Sequence, residues 1–228
     1  MPSSPGENQP AEQSRPSLRT TRTRAALLAA GLQLLADKPV DAIAIDELVA
    51  AAGVAKGSFF NHFADKNAFA AAVADDIRAQ FEARVDRFNA VVEDPLARLS
   101  GGLVVAAAFA MREPRRTIVL ARSANSQTLE DHPLNRGVVD DMRAARRQRQ
   151  VGDAADRAGV LFWLGCGQTL MGAIVASAGD RSHASDVLED IVQMGLRGLG
   201  ADANAIDHII DDGALRARLD DALERFDW

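Results

Sequence analysis

Residues 43–69, IAIDELVAAAGVAKGSFFNHFADKNAF, constrain this chain more than any other stretch. From Ile45 to Ala52 the apolar side chains Ile45, Leu48 and Val49 recur at helical spacing, so this segment reads as one short helix. Gly53 follows where the chain has to turn sharply, a position that only glycine takes without steric cost. Lys56 to Phe63 reads as a second short helix, with Phe59 and Phe63 together on its inner side at i, i+4. Two short helices joined at a glycine, the second led by small polar residues and a lysine, make a helix-turn-helix.

The run GVAKGSFFNHFADKNAF resembles the DNA-reading segment of TetR-family transcriptional repressors, which follows roughly G-V-S-K-G-T-aromatic-Tyr-x-His-Phe-x-x-Lys-x-x-Leu. The likeness covers one uninterrupted stretch and implies a three-helix DNA-binding head joined through a long helix to a helical ligand-binding and dimerisation domain. Physical chemistry assigns several residues a role in such a head. Lys56 neutralises phosphate or bonds the acceptors of guanine, and Asn61 carries the donor and acceptor pair that adenine needs. Gly57 lets the backbone come close, and its amide and that of Ser58 suit phosphate. The resemblance adds His62 and Lys66 as phosphate holders and places Phe60 where the family has tyrosine. It also makes Ala55 the residue before the recognition helix, where serine is usual, and Ala44 the cap of the preceding helix, where threonine is usual. An alanine offers no capping oxygen, a loss of about 0.5–2 kcal/mol at each helix start. Asp46 stands where a basic or polar residue often touches DNA, and phosphate repels an acid there unless it accepts from cytosine.

Composition bounds the rest. Alanine and leucine dominate the 228 residues and strand-like alternation is absent, so the fold class is all-α. A net charge of −6 excludes a uniformly polyanion-binding surface but not a local basic patch. One cysteine, Cys166, excludes an internal disulfide and fits a reducing cytoplasm. The polar amino terminus has no apolar core of a signal peptide. Val160 to Ala178 is uncharged over nearly the length of a membrane span. Its glycines and its amphipathic neighbours favour a helix buried in a core or an oligomer interface, and no membrane partner is expected.

In order along the chain, residues 1–19 are poor in large apolar side chains and read as a disordered tail ending in Arg15, Arg19, Arg22 and Arg24. That basic end is either solvated or an arm that touches DNA, in which case Arg22 is its contact. The head is expected over residues 20–67. It begins with a helix from Thr21 to Asp37, capped by Thr20 or Thr21 and stopped before Pro39. Residues 68–228 form the second domain. The boundary falls inside a helix capped by Asp65, whose apolar stripe runs Phe69, Val73, Ile77, Phe81, Val85, Phe88 and which is expected to reach Glu93. Helices follow over residues 96–111, 115–123, 135–150, 154–178 and 184–199. The carboxyl-terminal stretch 202–228 adds one or two acidic amphipathic helices of no legible purpose. Arg143, Arg146, Arg147 and Arg149 read as a solvated face.

The resemblance implies a cavity among the second-domain helices. Its expected lining is Phe81, Phe88, Phe109, Met111, Phe162, Trp163, Cys166 and Met171, with Asn125, His132 and Gln168 as polar groups that orient a ligand. The last two long helices resemble the pair that builds the family's dimer, with Gly167, Ile174, Leu188, Ile191 and Leu199 expected at the interface. No metal or other cofactor is expected. The four histidines are scattered without HxxxH or HExxH spacing, and neither a phosphate-cradling glycine loop nor a GxSxG elbow is present, so the chain is not read as an enzyme. The expected function is a homodimeric, cytoplasmic transcriptional regulator that binds a palindromic double-stranded operator and is released by an unknown small molecule. The alternative is a small-molecule-binding helical protein with a vestigial DNA-binding head.

Overall fold

A computed structural model describes residues 18–123 and 132–228, and every regular element among them is helical. The helices are α1 (Leu18–Asp37), α2 (Ile45–Ala52), α3 (Lys56–Phe60), α4 (Lys66–Phe88), α5 (Pro95–Arg112) and α6 (Pro114–Arg122). They continue with α7 (Arg136–Arg147), α8 (Ala155–Ala176), α9 (Arg181–Gly198), α10 (Ala203–Ile210) and α11 (Ala214–Arg225). Residues 1–17 of the expected tail, with Arg15, and Asn125 lie outside the described residues.

The head packs around an aromatic knot. Phe59, Phe63 and Phe69 meet with ring centroids 5.0–5.6 Å apart, and Leu27, Leu35, Ile43, Leu48 and Val49 close around them. Helix α1 crosses α4 at Gly31, where a β-carbon would stand 2.3 Å from Cζ of Phe69. Only a residue without a side chain allows that approach. Gly53 ends α2 in the left-handed conformation, φ 65°, and the amides of Gly53 and Val54 return to Ala50 and Val49. Neither Ala44 nor Ala55 caps its helix with a side chain. Tertiary contacts hold the pair instead. Lys38 reaches both carboxylate oxygens of Glu47 at 2.7 and 2.8 Å, and Phe59 is sealed from solvent.

Helix α5 is the axis of the second part. Burial runs almost unbroken from Pro95 to Ala110, and the small residues Ala106, Ala107, Ala108 and Ala110 let neighbours approach from every side. Helices α4, α6, α7, α8, α9, α10 and α11 all pack on it. Helix α8 is long and apolar enough to cross a membrane, with a mean hydropathy of 1.6. One side of it packs on α5, α6, α7 and α9.

Several expected boundaries are corrected. The chain is already helical at Leu18, so Thr20 and Thr21 lie inside α1 and not at its cap. The recognition helix ends at Phe60, and Phe63 reaches the core from the turn that follows. Asp65 does cap α4, accepting from the amide of Ala68 at 2.7 Å. The helix then stops at Phe88 rather than Glu93, about 34 Å of rod instead of 40. Asn89 causes the stop: its side-chain amide donates to the carbonyl of Arg98, while Arg98 donates back to the carbonyls of Asn89 and Val92. The carboxyl-terminal stretch also acquires a place. The ring of Trp228 lies under the guanidinium of Arg84 at 5.0 Å and edge-on to Phe109 at 6.1 Å, so the chain end seals α4 against α5.

Candidate functional site

Phe59 anchors α3 to the core and leaves the opposite face of the helix outward. Ala55, Lys56, Gly57, Phe60 and Asn61 are exposed there, while Ser58 and His62 are half-buried at its edges. A β-carbon at Gly57 would meet nothing within 4 Å, so the surface over it is open to a large partner. Phe60 stacks edge-on against Phe59 at 5.4 Å, which fixes the ring in its exposed setting. Arg22 is exposed on α1.

Two charged side chains of the head have partners within the chain. Asp46 neither faces a bare surface nor stands alone, because its Oδ1 lies 2.8 Å from Nζ of Lys56. The acid thus partly cancels the cation that leads the recognition helix, and with both side chains well exposed the pair is easily exchanged for phosphate. Lys66 is turned towards the protein. Its ammonium donates to the carbonyls of Asp41 and Ile43 at 3.2 and 3.0 Å, tying the start of α4 to the loop that enters α2. Two of its three N–H groups are therefore committed inside the head.

A cavity of about 60 Å3 lies between α4, α5, α7 and α8. Of the expected ligand residues, Phe81, Trp163, Gln168 and Met171 line it. The others do not. Phe88 is covered by the guanidinium groups of Arg218 and Arg225, at 5.3 and 5.5 Å from its ring. Phe109 is buried between Phe81 and Trp228. Met111 sits near the backbone of Gly179, at the far end of α5. Phe162 and Cys166 face the opposite side of α8. His132 is occupied by the amide of Leu134 and stands 4.0 Å from Asp75.

Two residues that pattern reading passed over dominate the cavity. Arg78 and Glu82 line it one turn apart on α4, with Nε of Arg78 2.9 Å from Oε1 of Glu82. Nη2 of Arg78 donates to Oδ1 of Asn135 at 2.6 Å. Burial strips water from the Glu82 carboxyl and lifts its pKa from 4.5 to about 7, against the lowering pull of Arg78. The signal was present in the sequence, because positions 78 and 82 directly follow the stripe residues Ile77 and Phe81.

The expected dimer residues are mostly internal. Ile174 and Leu188 are fully buried within the subunit, and Leu199 nearly so. Gly167 faces Leu103 across the cavity. Ile191 alone borders the outer face of α8 and α9, where Leu161, Phe162 and Met194 are 46%, 43% and 60% exposed beside Gly165, Cys166 and Thr169. Three large apolar side chains in one shallow groove are more than scattered surface hydrophobes.

The head and the helical body are joined by more than α4. Arg115 on α6 donates to the carbonyl of Gln33 at 2.8 Å and pairs with Asp37 at 2.9 Å. Arg122 donates to the carbonyls of Leu35 and Ala36 at 2.5 and 3.0 Å. Both cations serve the carboxyl-terminal end of α1, where free carbonyls and the helix dipole favour them. On α7, Arg146 is likewise occupied, by Asp153 and Asp156 at 3.3 and 3.5 Å.

The family model of the bacterial regulatory proteins of the tetR family matches residues 27–73, from the middle of α1 into α4. No curated protein matches the chain by sequence. Among solved structures, the fold is similar to a gamma-butyrolactone receptor, an ArpA-like protein, at 21% identity over 88% of this chain and 98% of that one, TM-score 0.59. A putative tetR family transcription regulator from Shewanella sp. PV-4 is similar at 14% identity over 78% and 97%, TM-score 0.67. RolR in complex with resorcinol is similar at 20% identity over 86% and 96%, TM-score 0.51. At these identities the likeness is one of fold.

Proposed function

We propose that this chain, a TetR-family protein by its head, is a homodimeric repressor that leaves a palindromic operator when a small organic molecule enters the cavity. In this reading residues 20–67 are the DNA-binding domain and residues 68–228 the ligand-binding and dimerisation domain. Two α3 helices enter successive major grooves, one per subunit. Lys56, Ser58 and Asn61 read bases, while Arg22, Ala55, Gly57, Phe60 and His62 lie against the backbone or the groove wall. The second subunit covers the face of Leu161, Phe162 and Met194, which leaves α8 no need of a lipid surface. The protein acts in the cytoplasm, where its DNA is.

The observation that carries the reading is the course of α4. One helix places Phe69 beneath Gly31 in the head and Arg78, Phe81, Glu82 and Val85 on the cavity wall. Ligand pockets run to about 300–1,000 Å3, so a cavity of about 60 Å3 admits a ligand only by moving its walls. A wall that moves includes α4, and the arginines of α6 pass the displacement to α1. Among the similar structures, one is of a gamma-butyrolactone receptor and another holds resorcinol, which suits a small organic effector here as well. Ligand lowers DNA affinity only as far as it binds the displaced state more tightly.

The head is tested through Asn61. Asn61→Ala is expected to relax base preference at one position of each half-site, a discrimination of about 1–3 kcal/mol, while leaving the other positions as they were. An unchanged preference across the whole site, read from selected sequences, removes Asn61 from base recognition.

A further inference from the structure

The cavity wall is largely apolar. Helices α5, α7 and α8 present Leu103, Ala106, Val138, Trp163 and Met171 to it, and Gln168 is the polar group they add. Among the described residues, the only charged groups on its wall are Arg78 and Glu82, both from α4. Arg78 is 8% exposed, and of its donors Nη2 is held by Asn135. Its Nε is ion-paired with Oε1 of Glu82 at 2.9 Å, though not aligned for a full hydrogen bond. A buried guanidinium whose one ion pair is poorly aligned keeps donor capacity at the cavity wall, and an anion with two oxygens meets it in the planar geometry a guanidinium favours.

We propose that the cavity takes a small monocarboxylic acid, its carboxylate paired with Arg78 and its apolar body lying among Phe81, Leu103, Trp163 and Met171. The inference rests on the reading of this cavity as the effector site and names the class of effector. A second anion beside Arg78 cannot share it cheaply with an ionised Glu82. Burial already brings that carboxyl to titrate at about 7, so it takes up one proton from solution as the ligand carboxylate arrives. The other charge that acts on Glu82 is Asp86, on the same helix and also favouring protonation. The nearby Asp141 of α7 is engaged by Arg98 of α5 at 2.6 Å, and the sides of the cavity from α5, α7 and α8 carry no charge.

Calorimetric titration of the full chain with phenylacetate and hexanoate, against phenylacetamide and hexanamide, tests the assignment at pH 6, 7 and 8. The acids are expected to bind at least about tenfold more tightly than the amides at pH 6, where Glu82 is protonated. Their affinity is expected to fall by up to about tenfold per pH unit above 7, as one linked proton requires. Glu82→Gln, which keeps the shape and removes the titration, abolishes that slope and leaves acid binding strong at pH 8. Arg78→Gln loses the preference for the acids, with Arg78→Lys retaining part of it. Amides bound as tightly as acids, no binding of either acid, or an unchanged pH slope in Glu82→Gln overturns the proposal. Release of DNA is read separately: acids that bind without loosening DNA sustain the ligand class and refute the repressor reading.

Discussion

Aspartate at both Phe162 and Met194 is expected to turn the dimer into a monomer and to abolish tight operator binding. The two side chains sit with Leu161 on the outer face of α8 and α9, exposed within the single subunit. Met194 is largely exposed and Phe162 packs only its ring edge over Gly198, so the double variant gives up one surface contact and keeps its helical content. In the proposed dimer that face is covered, and an unpaired carboxylate buried there costs several kcal/mol, enough to undo a typical dimer. A monomer holds one recognition helix and so engages one half-site, which leaves only weak, salt-sensitive binding. Sedimentation equilibrium and gel retardation on the same preparations check both halves of the expectation. A variant that stays dimeric moves the interface elsewhere. A wild-type chain that needs detergent to stay dispersed assigns the face to lipid.

The second large effect is on stability, and it comes from Glu82. Its folded pKa of about 7 stands above the ordinary 4.5 because burial disfavours the ionised form. The unfolded carboxyl loses its proton near 4.5, whereas the folded one keeps it to about 7, so the folded state binds the extra proton between those values. Stability from this group is thus fully present below pH 4.5, declines as pH rises, and is lost above pH 7. At about 1.4 kcal/mol per pKa unit the loss amounts to roughly 3–3.5 kcal/mol. Glu82→Gln mimics the protonated form, so it is expected to gain about that much over wild type at pH 8 and little at pH 5. Urea unfolding of both proteins at the two pH values reads the difference, in which all other titrating groups cancel. Equal stability at pH 8 contradicts the account of a desolvated carboxyl at the cavity wall.

Reading the sequence succeeded where the determining contacts are local. Gly53, Phe59 and Phe63 announce the helix-turn-helix because the turn and the i, i+4 pair lie within a dozen residues. Asp65 announces α4 because a cap bonds three residues onward. It failed where the deciding partner is distant. Lys66 spends its ammonium on Asp41 and Ile43, more than twenty residues back. The faces of α8 were illegible for a different reason. A helix that is apolar nearly all round has no period to show which side meets its own subunit, so Ile174 and Phe162 were given each other's surroundings. Arg78 and Glu82 were overlooked because charged residues beside an apolar stripe ordinarily point to water. Here the helices from α5 and α8 close over them.

The central claim is that two copies of this head read a palindrome. Selection of bound duplexes from a random pool, with the purified full-length chain and no added ligand, tests it most directly. The expected product is an inverted repeat whose half-sites lie on successive major grooves, about one helical turn apart. Recovery of no enriched sequence, or of a single unrepeated half-site, contradicts it.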